Sequence, residues 1–527
     1  MHQNATGIDM YEQAFTPFRS LRARWLFGLV TVLAGVAGPA SPVGAQDVLR
    51  VPYVADIGTF DPDNGFEIGG VSAINNVYEG LVEYAPGTTR VVGLLAKSWE
   101  ISADGLSYTF HLADGVRFHD GTAMDAAAVV TSLERRKKNK FLNSYFLDNV
   151  TAIEAPDSHT VVLKLAQPQP SLLDSFSSPY GPKVVSPKAL AEHDNGDGAT
   201  GWLTQHADGT GPFKLAEFKP GERYVLERND DYWGTKPFFR EIQLPVVPDI
   251  GVQILQLQAG EIDAVPINYP FAQLASLPSG LEATASPSVN QYDLFFKAGT
   301  VLDDAEVRKA VLTAVNPALW NNDAFYGYAQ LSKSIFPNVT LDPAHPIAYP
   351  TDLEAAKAVI ARHGPVQFSI GTFSETPSYR RIADLMITQL AQIGVTAASY
   401  ALPDGQGFAL KGDPKAPDVL LTIAGPDALH PENQAKVFYT ADAPVNFYGR
   451  AIPEADSLIN EAGTVADIPR RNALYEKAGQ IIVDAGIVAP LVDVDDVVVH
   501  AKGLTDLGLR AVYPLGNIDF ATVRWAK

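Results

Sequence analysis

Gly196-Asp197-Gly198-Ala199-Thr200-Gly201 has the spacing of a glycine-rich turn that cradles a dinucleotide pyrophosphate. That chemistry needs a strand before the turn and a helix after it, so that the helix N-terminus meets the phosphates. No apolar strand precedes Gly196, and Asp208-Gly209 punctuates the segment after Gly201, so residues 193–211 read as a solvated surface loop. Asp194 and Asp197 miss calcium-loop spacing, because glycine stands where ligands should fall. His119 beside Asp120 has the composition of an acid–base pair, yet neighbours along a strand point to opposite faces. His193 and His206 are the nearest histidine pair in a loop; with no cysteine in the chain, a tight metal site would need carboxylates at a spacing that is not seen. A P-loop, an H-E-x-x-H helix and a G-x-S-x-G nucleophile elbow are all missing from the sequence. The expectation is a chain with no catalytic residues, no metal and no cofactor, and hence not an enzyme.

The elements that would position any binding group alternate as in an α/β protein. Leu49–Val54, Ser107–Leu112 and Thr160–Leu165 have the β-branched and aromatic content of strands. Asp303 and Asp304 can cap a helix that turns Val307, Ala310, Val311 and Ala314 to one face. Asp352 opens another helix that buries Leu353, Ala356 and Ile360 and stops at Gly364. A third buries Ile382, Leu385, Met386, Leu390 and Ile393 and stops at Gly394. Strand-like runs at 367–370, 395–400 and 418–423 complete a βαβ-type lobe, with ligands expected at the carboxyl ends of its strands.

Composition excludes several classes of partner. The 527 residues carry a formal charge of −20, so the basic surface that nucleic acid requires is missing and anionic lipid would repel the chain. At the N-terminus, Arg19, Arg22 and Arg24 precede an apolar run from Trp25 to Ala37, which ends in Pro39, Pro42 and the small triplet Val43-Gly44-Ala45. This reads as a secretory signal peptide over residues 1–45, cleaved after Ala45, since a membrane span needs ~20 apolar residues. Without cysteine no lipid anchor can be attached, so the expected mature product is secreted, soluble and not a lipoprotein.

Four segments carry a resemblance. The first runs from Leu94-Leu95-Ala96-Lys97-Ser98-Trp99-Glu100 through Asp104-Gly105 to Gly115-Val116-Arg117-Phe118-His119-Asp120-Gly121-Thr122. The second joins Gly209-Thr210-Gly211-Pro212-Phe213 to Arg228-Asn229-Asp230-Asp231-Tyr232-Trp233-Gly234. The third is Leu257-Gln258-Ala259-Gly260-Glu261-Ile262-Asp263, and the fourth Asp303-Asp304 through Val307-Arg308-Lys309-Ala310. Together they resemble the dipeptide, oligopeptide and nickel-binding family of bacterial solute-binding proteins, family 5. The resemblance implies a two-lobed periplasmic-binding-protein fold of α/β class with a hinged cleft. Residues 46–291 would form lobe I, with a small extra subdomain at about 90–210; residues 292–489 would form lobe II, and 490–527 would return to lobe I.

It also implies a function, the capture of a small peptide or peptide-like amine and its delivery to the permease subunits of an ABC importer. Binders of nickel chelate, haem, opine or oligosaccharide share the fold, and a secreted hydrolase is the reading from another class. In peptide-binding members an aspartate after a lobe II strand pairs with the ligand's α-amino group, and Asp427 occupies that place here. The family usually has an aromatic residue shortly before this aspartate and Asp-Pro shortly after, whereas this chain has Ala424-Gly425-Pro426 and His430-Pro431. By loop position, Phe66, Glu67, Phe408, Asn446 and Tyr448 join Asp427 as expected ligand contacts.

Overall fold

The computed structural model describes residues 47–65, 70–373, 377–403, 406–512 and 516–526. The expected signal peptide, Phe66 and Glu67 therefore lie outside the described residues. Among those described, no helix is long and apolar enough to cross a membrane.

In lobe I the strand Val48–Arg50 runs parallel to Glu241–Pro245, which continues antiparallel through Arg223–Arg228 to Phe213–Lys219. Leu49, Val51, Phe213, Leu226, Ile242 and Leu244 pack here against Ile74 and Val77 of the helix Val71–Val77. Leu504, Leu507, Ile518, Phe520 and Val523 from the C-terminal segment close the same core.

A second, antiparallel sheet has the order Ala96–Ile101, Ser107–Leu112, Thr160–Leu165, Val150–Asp157. Every second residue of its central strands is buried, Tyr108, Phe110 and Leu112 on one and Val161, Leu163 and Leu165 on the other, as a sheet with one covered face demands. The helix Ala126–Asn139 covers that sheet, capped by the Asp125 carboxylate on the Ala128 amide. Its Arg135 and Arg136 reach Asp61 and Asp63 of lobe I in a buried ion network, which ties this subdomain to the lobe. Removing one member would leave a buried charge unpaired, at a cost of about 3–5 kcal/mol.

The residues that carried the resemblance serve largely as scaffold. Gly105 and Gly121 take positive φ in their turns. His119 sits in a turn with Nε2 2.9 Å from the Gly211 carbonyl, and burial pushes its imidazole down to about 4, so it is held neutral. Gly209 and Gly211 press against the end of the Val71–Val77 helix so closely that a Cβ at either would meet the Val77 carbonyl oxygen, at 2.2 and 2.6 Å.

Lobe II is a mixed seven-stranded sheet. Val366–Thr372 lies parallel to both Val395–Ala401 and Val419–Ile423. Helices Ala305–Val315, Leu353–His363 and Pro377–Ala391 pack on it through Val307, Val311, Ile360, Ile382, Met386 and Leu390, the faces that periodicity picked out. Their caps are also those expected: the Asp304 carboxylate accepts from the Glu306 and Val307 amides, the Asp352 carboxylate accepts from Ala355, and Gly364 and Gly394 take positive φ where the helices stop.

Two long strands, Leu281–Phe296 and Val488–Ala501, pair antiparallel through the molecule. One end joins Ala264–Val265 and the helix Ile250–Ala259 in a small core, and the other enters the lobe II core. Their register shifts between Ser286 and Asn290. An irregularity of this kind bends a strand and re-aims side chains. Here Val494, Asp495, Asp496 and Val497 all reach one cavity, which simple alternation would forbid.

Candidate functional site

That cavity, about 620 Å³, lies between the long strands and the carboxyl end of the lobe II sheet. The volume falls within the ~300–1,000 Å³ usual for small-molecule pockets. Its walls are mostly aromatic: Tyr269 and Phe271 on one side, Tyr292 and Tyr379 on the lobe II sheet, and Phe373, Phe408, Phe438 and Phe447 beyond. Phe373 and Phe408 meet edge to face at 4.8 Å, fixing one corner. Among the described residues, the charged ones lining the cavity are Asp427, Asp495, Asp496 and Arg381.

Asp427 follows the strand Val419–Ile423 through Ala424, Gly425 and Pro426. Gly425 is packed so tightly that a Cβ would stand 3.0 Å from the Val289 carbonyl, and this fixes the path of the loop. The Asp427 carboxylate is half-buried and accepts one hydrogen bond, 2.8 Å long, from the Tyr145 hydroxyl of the subdomain. Burial is the main cause that pushes its carboxyl up to about 6, and the Tyr145 bond partly offsets it. The neighbouring helix Pro431–Phe438 is capped by His430, not by Asp427, and among the described residues no backbone amide donates to the Asp427 carboxylate. A loop-capping role for this side chain therefore has no partner there, whereas the cavity wall does contain it.

Several contacts bridge the lobes around this loop. The Ser178 hydroxyl donates to the Asp427 carbonyl at 2.5 Å, and the Ser171 hydroxyl donates to Glu432 at 2.5 Å. The Leu429 amide donates to the Tyr84 hydroxyl at 3.0 Å. The arrangement is that of a clamp with its two jaws in contact.

Of the other expected contacts, Phe408 lines the cavity. Asn446 and Tyr448 do not, and this corrects the reading from loop position. The Asn446 amide donates to the Thr440 and Arg450 carbonyls, and its oxygen accepts from the Arg450 amide, so a tight turn takes up both donors and engages the oxygen. The Tyr448 hydroxyl donates to the Pro417 carbonyl at 2.8 Å, with its ring against the lobe II core. The alternate residues Val445 and Phe447 face the cavity in their place. Sequence reasoning also passed over Asn290, Tyr292, Asp495 and Asp496 on the long strands. One signal was present: three carboxylates, Asp493 and the adjacent Asp495 and Asp496, interrupt the apolar run from Val492 to Val499.

Among the described residues, no group of three or more His, Cys, Asp or Glu is placed to hold a metal ion. A two-lobed clamp around one aromatic cavity, with carboxylates on its wall, is suited to binding.

Residues 90–444 match the model of the bacterial extracellular solute-binding proteins, family 5. The chain belongs to this family. Relatives include the Escherichia coli protein named "Probable D,D-dipeptide-binding periplasmic protein DdpA", 28% identical over 86% of this chain and 90% of that protein. The glutathione-binding protein GsiB of Salmonella paratyphi A is 29% identical over 92% and 95%. Among solved structures, the periplasmic binding protein DppA of Helicobacter pylori, in complex with the peptide STSA, superposes with a TM-score of 0.74 at 24% identity, covering 91% of this chain and 98% of that one. NikA of Brucella suis with Fe(III)-EDTA gives 0.79 at 23% identity, covering 91% and 99%. The fold is thus the two-lobed periplasmic-binding-protein fold, and the family and its relatives are binding proteins.

Proposed function

We propose that this member of family 5 captures a small peptide-like amine in the periplasm and delivers it to an ABC importer, with Asp427 pairing with the ligand's α-ammonium. The observation that carries this reading is the Asp427 carboxylate itself. It stands on the cavity wall beside the interlobe contacts, accepts one neutral hydrogen bond and is left unsupported by its own loop. A carboxylate so desolvated gains from a cation far more than a surface pair would, because the charge-assisted bond forms away from water. The peptide and glutathione ligands named for its relatives fit a free ammonium of this kind. Phe408 and its aromatic neighbours would hold the ligand's apolar body.

The proposal extends to the route and the state of the protein. Export would proceed through cleavage after Ala45, and the mature chain would work as a soluble monomer. Ligand shifts such a clamp toward closure only through preferential binding to the closed form.

Isothermal titration of the mature protein with alanyl dipeptides and their N-acetylated counterparts tests the assignment. Free-amine peptides should bind and acetylated ones should lose roughly tenfold or more, the value of a charged hydrogen bond. Equal affinity for the two would remove the ammonium role of Asp427. Failure of every peptide to bind would turn the reading toward a non-peptide ligand.

A further inference from the structure

The cavity is more acidic than recognition of one ammonium requires. Among the described residues, four of those lining it are charged: three are aspartates, and the Nε of the one cation, Arg381, is already engaged by the Asp323 carbonyl at 3.1 Å. A neutral dipeptide zwitterion would set its ammonium against Asp427 and its carboxylate against Arg381, leaving both carboxylates of the long strand. Asp496 is accounted for: it is 3% exposed and accepts from the Gly516 amide at 2.9 Å. Asp495 is not. Its backbone amide donates to the Tyr328 carbonyl, but its carboxylate, half-buried at the cavity wall, makes no hydrogen bond or ion pair among the described residues.

A second observation on the opposite strand is independent of this charge count. Asn290 is 4% exposed and lines the cavity, and its side-chain amide has no hydrogen-bond partner among the described residues. Held there without a protein partner, the amide is open to water or to a ligand in the cavity. Asn290 is paired in register with Val494, the residue before Asp495, at the edge of the strand irregularity. The paired long strands thus offer the cavity a carboxylate and an amide oxygen from adjacent register positions. An alkylammonium has three donors to place and no acceptor.

We propose that Asp495 and Asn290 form a second cation subsite, which takes the basic side chain of a ligand whose α-ammonium meets Asp427, so that the preferred ligands are basic peptides. This rests on the peptide-amine reading above and narrows its substrate class. Burial supports it in passing, since desolvation pushes the Asp495 carboxyl up and a bound cation would relieve that cost.

Alanyl-lysine and alanyl-norleucine separate the two ideas, because norleucine keeps the length of the lysine side chain and lacks its ammonium. Titrated into the mature protein, alanyl-lysine should bind roughly tenfold tighter or more. Asp495→Asn should collapse that ratio toward one, Asn290→Ala should narrow it, and Asp427→Asn should weaken both peptides together. A wild-type ratio at or below one overturns the subsite while leaving the amine reading intact, and binding of neither peptide overturns both. A wild-type ratio that survives in Asp495→Asn also overturns the subsite. Should that variant fail to fold, the wild-type ratio decides alone.

Discussion

Glu79 and Asp427 are both carboxylates withdrawn from water, yet their surroundings differ in a way that separates scaffold from recognition. Glu79, 3% exposed, accepts from Thr210 and Tyr232 hydroxyls at 2.7 Å and from the Trp233 indole at 2.9 Å. All three donors belong to the segments that carry the family resemblance, and they hold those segments against the end of the Val71–Val77 helix. Asp427 accepts from a single donor, which comes from across the cleft, and the remainder of its surroundings is cavity. A buried carboxylate whose acceptors are filled by its own lobe holds the fold together. One that faces a cavity with a single neutral partner is placed for a cation from outside the protein.

The contrast should break most visibly at Glu79. Replacing it by alanine leaves one buried and two half-buried donors without an acceptor, and chemical denaturation of the apo protein should show a loss of about 3 kcal/mol. A change under about 1 kcal/mol would mean that the network is not structural. Asp427→Asn should act on binding instead. Affinity for an amine-bearing peptide should fall roughly ten- to a hundredfold by calorimetry, because a charged bond is exchanged for a neutral one. Its apo stability at pH 7.5 should hold or rise slightly, since the folded state raises this carboxyl to about 6 and so works against the ionised form.

The same shift sets the pH dependence of binding. Above pH 6 the apo Asp427 is ionised and affinity should be flat. Below it the carboxyl must release a proton to meet an ammonium, so affinity should drop by up to about tenfold per pH unit until the lowered pKa of the complex is reached. Asp427→Asn should lack this slope, and a wild-type profile flat to pH 4.5 would detach binding from the group. For Glu79 the pH dependence is one of stability. Burial raises its carboxyl to about 7, so the part of the apo stability linked to this group is fully present below pH 4.5 and is lost as the pH rises through 7. The smallest effect is expected at the bridge between the lobes. Tyr145→Phe removes one hydrogen bond to Asp427 that bound and free protein can both make, and should weaken binding by about 1 kcal/mol or less. A loss as large as that of Asp427→Asn would show that closure, not charge, dominates affinity.

Much of the fold was legible in the sequence because helix boundaries and faces are local. Capping aspartates at Asp304 and Asp352, stops at Gly364 and Gly394, and the apolar faces of the helices are all set by neighbours three or four residues away. The two-lobed fold was legible through the resemblance of four segments. The cavity was less legible because it is assembled from strands distant in the chain. Asn290 and Asp495 reach the same cavity only through the register of two strands some 200 residues apart, beside an irregularity in their pairing. Asn446 was misplaced for the opposite reason: a turn-forming asparagine commits its amide to its own backbone, and position in a loop cannot reveal this. Glu79 drew no attention, since its donors lie 131 to 154 residues away.

The central claim is that this chain is a hinged clamp that closes on its ligand. Small-angle X-ray scattering of the mature protein, titrated with alanyl-lysine, tests it directly. The contacts between Ser178, Tyr145 and Asp427, and between Tyr84 and Leu429, are those of the closed form; ligand that favours this form should populate it, so the saturated protein should have a smaller radius of gyration than the ligand-free one, with the decrease tracking occupancy. A radius that stays constant while calorimetry shows the site filled would contradict the clamp.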